Sequence, residues 1–262
     1  MPGAGSNRTM PSLTNQQAGP VGPPERRFGV RAMVASVALV LVAVPFGLLF
    51  FLVQGEWGPL ARADAGARDD LHAYAVEHAP FVTAMKALSD SGSTLAYLVV
   101  FGAVSGWLLW RRLPRLALFV VVTVAGSAVL NQAVKVSVDR SRPVLPDPVA
   151  HANGLSFPSG HAQAALVGYS VLLLVFLPVL HGILRAIAVA VAVLMVLAIG
   201  FSRVALGVHY VSDVLAGYVL GAAWVLAMTA AFNGLSQPTG PRCSTDPAGC
   251  SSRPRGVSTQ TD

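Results

Sequence analysis

Six stretches of this chain stay apolar well beyond the 10 to 14 residues of an ordinary buried core helix, and that feature decides what it can fold into. They run from about Arg31 to Val53, Thr94 to Trp110, Leu116 to Val134, Ser159 to Leu180, Ala186 to Phe201 and Val211 to Phe232. A helix rises about 1.5 Å per residue, so roughly 20 residues cross a hydrocarbon core of about 30 Å. Only 11% of the 262 residues are charged while 54% are hydrophobic, against about 25% charged in soluble domains. Mean hydropathy is +0.61. The expectation is an all-α, polytopic membrane protein with six transmembrane helices. A single domain over residues 29–234 leaves no room for a large soluble domain.

Residues 1–28 and 235–262 are rich in Gly, Pro, Ser and Thr and lack an apolar period, so they read as disordered cytoplasmic tails. The long polar extension before the first run, and the lack of an Ala-x-Ala pattern after it, mark a retained span rather than a signal peptide. Residues 54–93 are polar, yet Leu71, Tyr74, Ala75, Phe81, Val82, Met85 and Leu88 recur at helical spacing. One or two short helices at the membrane surface fit this segment, and so does an ordinary folded loop. The two cysteines, Cys243 and Cys250, both lie in the C-terminal tail and build neither a disulfide framework nor a zinc site.

The net charge of +6 forms no basic stripe interleaved with aromatics, which argues against nucleic acid and for membrane orientation plus an anion site. With both termini inside, the cytoplasmic segments collect eleven basic residues: Arg8, Arg26, Arg27, Arg31, Arg111, Arg112, Arg115, Arg185, Arg242, Arg253 and Arg255. The outer segments collect seven, of which Lys135, Arg140, Arg142 and Arg203 cluster in polar motifs. The positive-inside rule therefore sets the 135–158 and 202–210 loops on the same outer face.

Three segments hold nearly all the polar residues near the spans: KVSVDRSRP (Lys135 to Pro143), PSGH (Pro158 to His161) and SRVALGVHYVSD (Ser202 to Asp213). Ionisable groups at membrane depth are costly unless they line a cavity and meet partners. Lys135, Arg142 and Arg203 converging on one point make an anion site, and arginine forks suit phosphate oxygens. Ser159 and Gly160 open the fourth span, so their backbone N–H groups and the helix dipole can point at the same anion. His209 and Asp213 are four apart and share a helix face; the carboxylate can hold one ring nitrogen protonated and leave the other to attack. His161, from another span, can protonate the departing oxygen. This design requires no metal and no cofactor. Singly, each element has a structural reading: a snorkelling anchor, a satisfied histidine, a helix cap. Their joint occurrence on one side of the membrane favours chemistry. Arg140, Asp139, His151, His72, His78 and His181 lack that support and read as structural or surface residues.

The ordered set Lys-x6-Arg-Pro, Pro-Ser-Gly-His and Ser-Arg-x5-His-x3-Asp resembles the three-part signature of the type 2 phosphatidic acid phosphatase superfamily, over roughly Arg31 to Phe232. The resemblance implies a nucleophile at His209, an orienting carboxylate at Asp213, an acid at His161, and phosphate held by Lys135, Arg142, Ser159, Gly160 and Arg203. Two positions depart from many bacterial members: Asp139 stands where glycine is common, and Val211 where proline is. The first sets a negative charge beside the phosphate cations.

The implied activity is metal-independent hydrolysis of a lipid phosphate or pyrophosphate at the outer face of a bacterial cytoplasmic membrane, through a phosphohistidine. Undecaprenyl pyrophosphate is the first expectation for substrate, followed by phosphatidic acid and phosphatidylglycerol phosphate. Phosphoryl transfer to a lipid alcohol uses the same intermediate. A vanadium haloperoxidase-like enzyme shares the signature, but its members are soluble. A transporter or lipid-phosphate binder without chemistry would have no use for a nucleophile, an acid and an orienting carboxylate together.

Overall fold

A computed structural model describes residue 40 and residues 42–235, all helices and connections. The elements are α1 (Val42–Gln54), α2 (Gly58–Glu77), α3 (Ala79–Ser91), α4 (Thr94–Trp110), α5 (Pro114–Val138), α6 (Gly160–Phe176) with a 3-10 turn at Leu177–Val179, α7 (Gly182–Ala205) and α8 (Val211–Leu235). Among the described residues four helices, α5 to α8, are long and apolar enough to cross a membrane. The number becomes six when α1–α2 and α3–α4, each bent at a short break, count as one span apiece. The expected tail at 1–28, the expected tail at 235–262 apart from Leu235, which ends α8, and the first span before residue 40 lie outside the described residues.

Proline at the first turn starts α2, α3 and α5, where its missing N–H is no loss. Ser93 and Ser159 accept from the N–H groups of Ala96 and Ala162 and cap α4 and α6. The polar segment after the first span is helical: α2 turns 88° from α1, and α3 meets α4 at 42°. Lys135, expected at the start of a loop, sits instead in the last turn of α5, which continues to Val138. Asp139 ends it in the left-handed region at φ 53°, the conformation for which glycine is the usual choice and aspartate a tolerated one.

Phe101, Leu108, Ala117, Phe119, Val120, Val167, Val171 and Val175 form the largest core, between α4, α5 and α6. Outward lie Leu95, Leu98, Leu118, Val129, Ile183, Leu194 and Leu197, all more than half exposed, as a lipid-facing surface requires. Within the bundle, Asn131 donates to Gln163 Oε1 at 2.7 Å, and Gln163 donates to the carbonyl and hydroxyl of Ser127 at 2.9 Å. This polar ladder binds α5 to α6 at membrane depth.

A close approach of α8 to the head of α6 brings the Pro-Ser-Gly-His segment beside the helix that carries Asp213. A Cβ on Gly217 would lie 2.6 Å from the Ser159 carbonyl oxygen and 3.2 Å from the Gln163 nitrogen. Both are backbone atoms, so the helices themselves must part. Gly217→Ala is expected to destabilise by about 1 to 3 kcal/mol, the range of core overpacking. A thermal melt in detergent measures it, and an unchanged midpoint would show that α8 can retreat freely.

Candidate active site

The chain turns from α7 into α8 through a five-residue break whose geometry aims His209. Gly207 N donates to Val204 O at 2.8 Å and Val208 N to Arg203 O at 3.2 Å, the paired bonds of a Schellman ending. Gly207 has φ +69°, and a Cβ there would meet Leu145 at 2.4 Å, so both conformation and space call for glycine. Arg203 thus stands in the last turn of α7, where a cation complements the carbonyl end of the helix. At the other side of the break Tyr210 precedes α8, and Asp213, in its first turn, accepts from Tyr210 N at 2.9 Å. This is the carboxylate half of a capping box.

His209 is 1% exposed and Asp213 fully buried. Asp213 Oδ2 lies 3.4 Å from His209 Nδ1 and also accepts from Ser156 Oγ. Arg142 Nη1 lies 3.1 Å from His209 Nε2. A guanidinium only donates, so Nε2 is the unprotonated nitrogen and the ring proton sits on Nδ1, toward Asp213. Burial pulls the His209 pKa down to about 4 despite the carboxylate, with Arg142 and Arg203 adding repulsion. The ring is therefore neutral at pH 7, its Nε2 lone pair aimed at the cationic side of the site.

The three cations expected around a phosphate are gathered here. Lys135 Nζ donates to Leu155 O at 2.6 Å, and Arg142 donates to Gly154 O at 2.9 Å and Val208 O at 2.8 Å. Arg203 Nη1 donates to Ser89 Oγ, and its Nε is buried without a hydrogen-bond partner among the described residues. An anion would satisfy that donor. Lys135 lies within electrostatic reach of both Arg142 and Arg203, and His161 within reach of all three and of His209. His161 is partly buried at the head of α6. Among the described residues no group of three His, Cys, Asp or Glu side chains has the arrangement of a metal site.

Two expectations change. Ser159 N donates to Asp213 O at 2.9 Å and its side chain caps α6, so this N–H is spent on joining α6 to α8 instead of facing an anion. Arg140, read as a structural or surface residue, donates to Asp213 Oδ1 at 2.6 Å. Asp139 and His151 are exposed, while His72 bonds Pro146 O at 2.9 Å. Asp64, Ser89 and Ser156 join the site without any motif to mark them, and Ser212 joins it from within the third motif, where it was not singled out. For Asp64 a signal existed: it shares one face of α2 with Leu71, His72 and Ala75, an acidic residue on the packed side of a polar helix.

The pattern of the PAP2 superfamily matches residues 115–236. Phosphatidylglycerophosphatase B of Bacillus subtilis (strain 168) is 34% identical over 143 residues, spanning 53% of this chain and 68% of that one. The chain belongs to the PAP2 superfamily. A crystal structure described as the first transmembrane PAP2 type phosphatidylglycerolphosphate phosphatase, from Bacillus subtilis, superposes with a TM-score of 0.62 at 25% identity, covering 75% of this chain and 98% of that one. The PAP2 match takes in all three signature motifs. The structural match covers more of the chain than the family pattern does.

A PAP2 protein with lipid substrates needs somewhere to put their tails. A groove of about 500 Å³ runs between α4, α5 and α6, lined by Tyr97, Leu98, Phe101, Val121, Val124 and Val167. Its polar end is formed by Gly92, Asn131, Gly160 and His161. An apolar slot within the membrane thus opens onto the proposed acid.

Proposed function

We propose that this protein hydrolyses a membrane lipid phosphate at its outer face through a phosphohistidine on His209. The observation that carries the reading is the polarity of the His209 ring: Nδ1 faces Asp213, and Nε2 faces Arg142. An arriving phosphate draws Arg142 from Nε2 onto its own oxygens, because a charged acceptor forms the stronger bond. Nε2 attacks phosphorus, the bond to the lipid oxygen breaks, and His161, which takes up a proton from solvent once the bound phosphate offsets the cations around it, delivers that proton to the departing oxygen. Lys135, Arg142 and Arg203 hold the charge of the transferring group. Water then attacks the phosphohistidine, gives its proton to His161, and releases inorganic phosphate with His209 restored.

The groove ending at His161 supports a substrate whose apolar chain lies between α4, α5 and α6 while the phosphate reaches the cations. A related sequence and a related crystal structure, both from Bacillus subtilis and both named for phosphatidylglycerol phosphate, move that lipid ahead of undecaprenyl pyrophosphate as first choice. The bacterial cytoplasmic membrane, with both termini inside, remains the setting, on the excess of arginines in the segments assigned to the cytoplasm.

Purified protein in detergent is expected to release phosphate from phosphatidylglycerol phosphate faster than from phosphatidic acid or undecaprenyl pyrophosphate, and equally well with excess chelator. A faster rate on another lipid would change the substrate. Loss of turnover on chelation, restored by added metal, would sink the metal-free mechanism.

A further inference from the structure

We propose that Asp64 and Arg140 are positioning residues that hold the head of α8 so that Asp213 Oδ2 faces His209 Nδ1. The proposal deepens the reading above and rests on His209 and Asp213 acting as nucleophile and orienting carboxylate. Its starting point is a deficiency in α8. The residue before this helix is Tyr210, whose side chain cannot accept the orphan N–H groups of the first turn. Ser212, at the second helical position, is 1% exposed, so water does not satisfy its N–H either. Asp64 does, from α2: its Oδ1 accepts from Ser212 N at 2.9 Å and its Oδ2 from Ser212 Oγ. A carboxylate from a distant helix thus supplies the cap that the local sequence lacks, at the positive end of the helix dipole.

Arg140 ties this cap to the proposed catalytic pair. One arm of its fork donates to Asp64 Oδ2 at 3.0 Å, the other to Asp213 Oδ1 at 2.6 Å and Ser212 Oγ at 2.8 Å. The guanidinium lies 4.1 Å from the centre of the Tyr210 ring, which limits its rotation. Asp213 is then constrained at both oxygens: Oδ1 by Arg140, Oδ2 by Tyr210 N and Ser156 Oγ. The oxygen facing His209 is selected by these bonds, since the direct contact to the ring is only 3.4 Å.

The charges matter as well as the geometry. Asp64, Arg140 and Asp213 together carry one negative charge. When Nε2 bonds to phosphorus while Nδ1 keeps its proton, the ring becomes cationic, and that single charge is opposite it. Without the Asp64 charge, Arg140 would neutralise Asp213 alone and the cationic intermediate would lose its counter-charge. Neither Asp64 nor Arg140 is assigned a contact with phosphate, so their removal acts on turnover more than on substrate binding.

The test compares kcat and KM for phosphatidylglycerol phosphate hydrolysis by full-length Asp64→Asn, Arg140→Gln, Asp213→Asn and the two doubles that pair each of the first with Asp213→Asn. Asp64→Asn keeps shape and an acceptor for Ser212 N–H while deleting the charge. It is expected to lower kcat about 10- to 100-fold with KM within about twofold. Adding it to Asp213→Asn should cost little further, because the residue acts through Asp213. Arg140→Lys, which keeps the charge but not the fork, should fall between wild type and Arg140→Gln.

Losses that multiply in the doubles, a raised KM at unchanged kcat, or wild-type kcat in Asp64→Asn would each overturn the proposal. If either single variant fails to fold by thermal melting, Arg140→Lys and its double with Asp213→Asn carry the same comparison. Wild-type turnover in Asp213→Asn or His209→Ala would instead overturn the catalytic reading beneath it.

Discussion

Alanine at His209 abolishes turnover: the expected fall in kcat is about 10⁴-fold or more, the scale on which nucleophile removal is felt when charge stabilisation and binding survive. Nε2 is an unprotonated nitrogen turned toward Arg142, and Asp213 is held by Arg140, Tyr210 and Ser156 away from that position. The decisive measurement is covalent trapping. Wild-type protein quenched in alkali after brief exposure to lipid labelled in its phosphate should retain acid-labile label, and His209→Ala should retain none. Label of undiminished yield on the variant would remove the phosphohistidine from the mechanism. Because the ring is buried, a thermal melt of the variant must accompany the result.

The same burial fixes a pH dependence. The folded ring has a pKa of about 4, below the ordinary 6.5. Between those values an unfolded chain binds a proton at this position that the folded chain refuses. Acid therefore favours unfolding, and the contribution of His209 to stability is present above pH 6.5 and declines as pH falls toward 4. Activity that depends on the neutral ring should persist to lower pH than for an ordinary histidine.

The second large effect is expected at Arg203. Replacing it with lysine should lower kcat/KM about 10²-fold or more, the cost of losing a preorganised donor to developing charge. Arg203 uses Nη1 on Ser89 and keeps Nε buried and unspent among the described residues, while its charge is attracted by Asp90. A guanidinium can serve Ser89 and a phosphate oxygen at once in fixed directions, whereas an ammonium offers one compact charge. Steady-state kinetics on Arg203→Lys and Ser89→Ala separate the roles. If lysine supports wild-type kcat/KM, Arg203 is only an anchor at the end of α7.

The sequence carried much of this on its own terms. Long apolar runs announce membrane helices because lipid leaves backbone polar groups no other partner. For the five spans after the first, the bounds shift by a few residues at most, as at α5, where helix continues through Lys135 to Val138. The three motifs announced Lys135, Arg142, His161, Arg203, His209 and Asp213, because charged and imidazole side chains near span ends need a reason to be there. The turn between the last two spans was not read from sequence; the structure shows Gly207 ending α7 and Asp213 capping α8.

What the tertiary structure alone decided are the partners of those residues. Ser159 spends its N–H on Asp213 O because α6 and α8 approach closely at Gly217, a contact between segments more than fifty residues apart. Arg140 looked like surface because its two carboxylate partners, Asp64 and Asp213, stand 76 and 73 residues away. Asp64 itself lies in a polar helix, where an acidic residue is ordinary until the helix packs against the head of α8 and the side chain is buried. Spacing along a chain encodes the face of a helix. Which faces meet, and so which charge offsets which, depends on packing between helices.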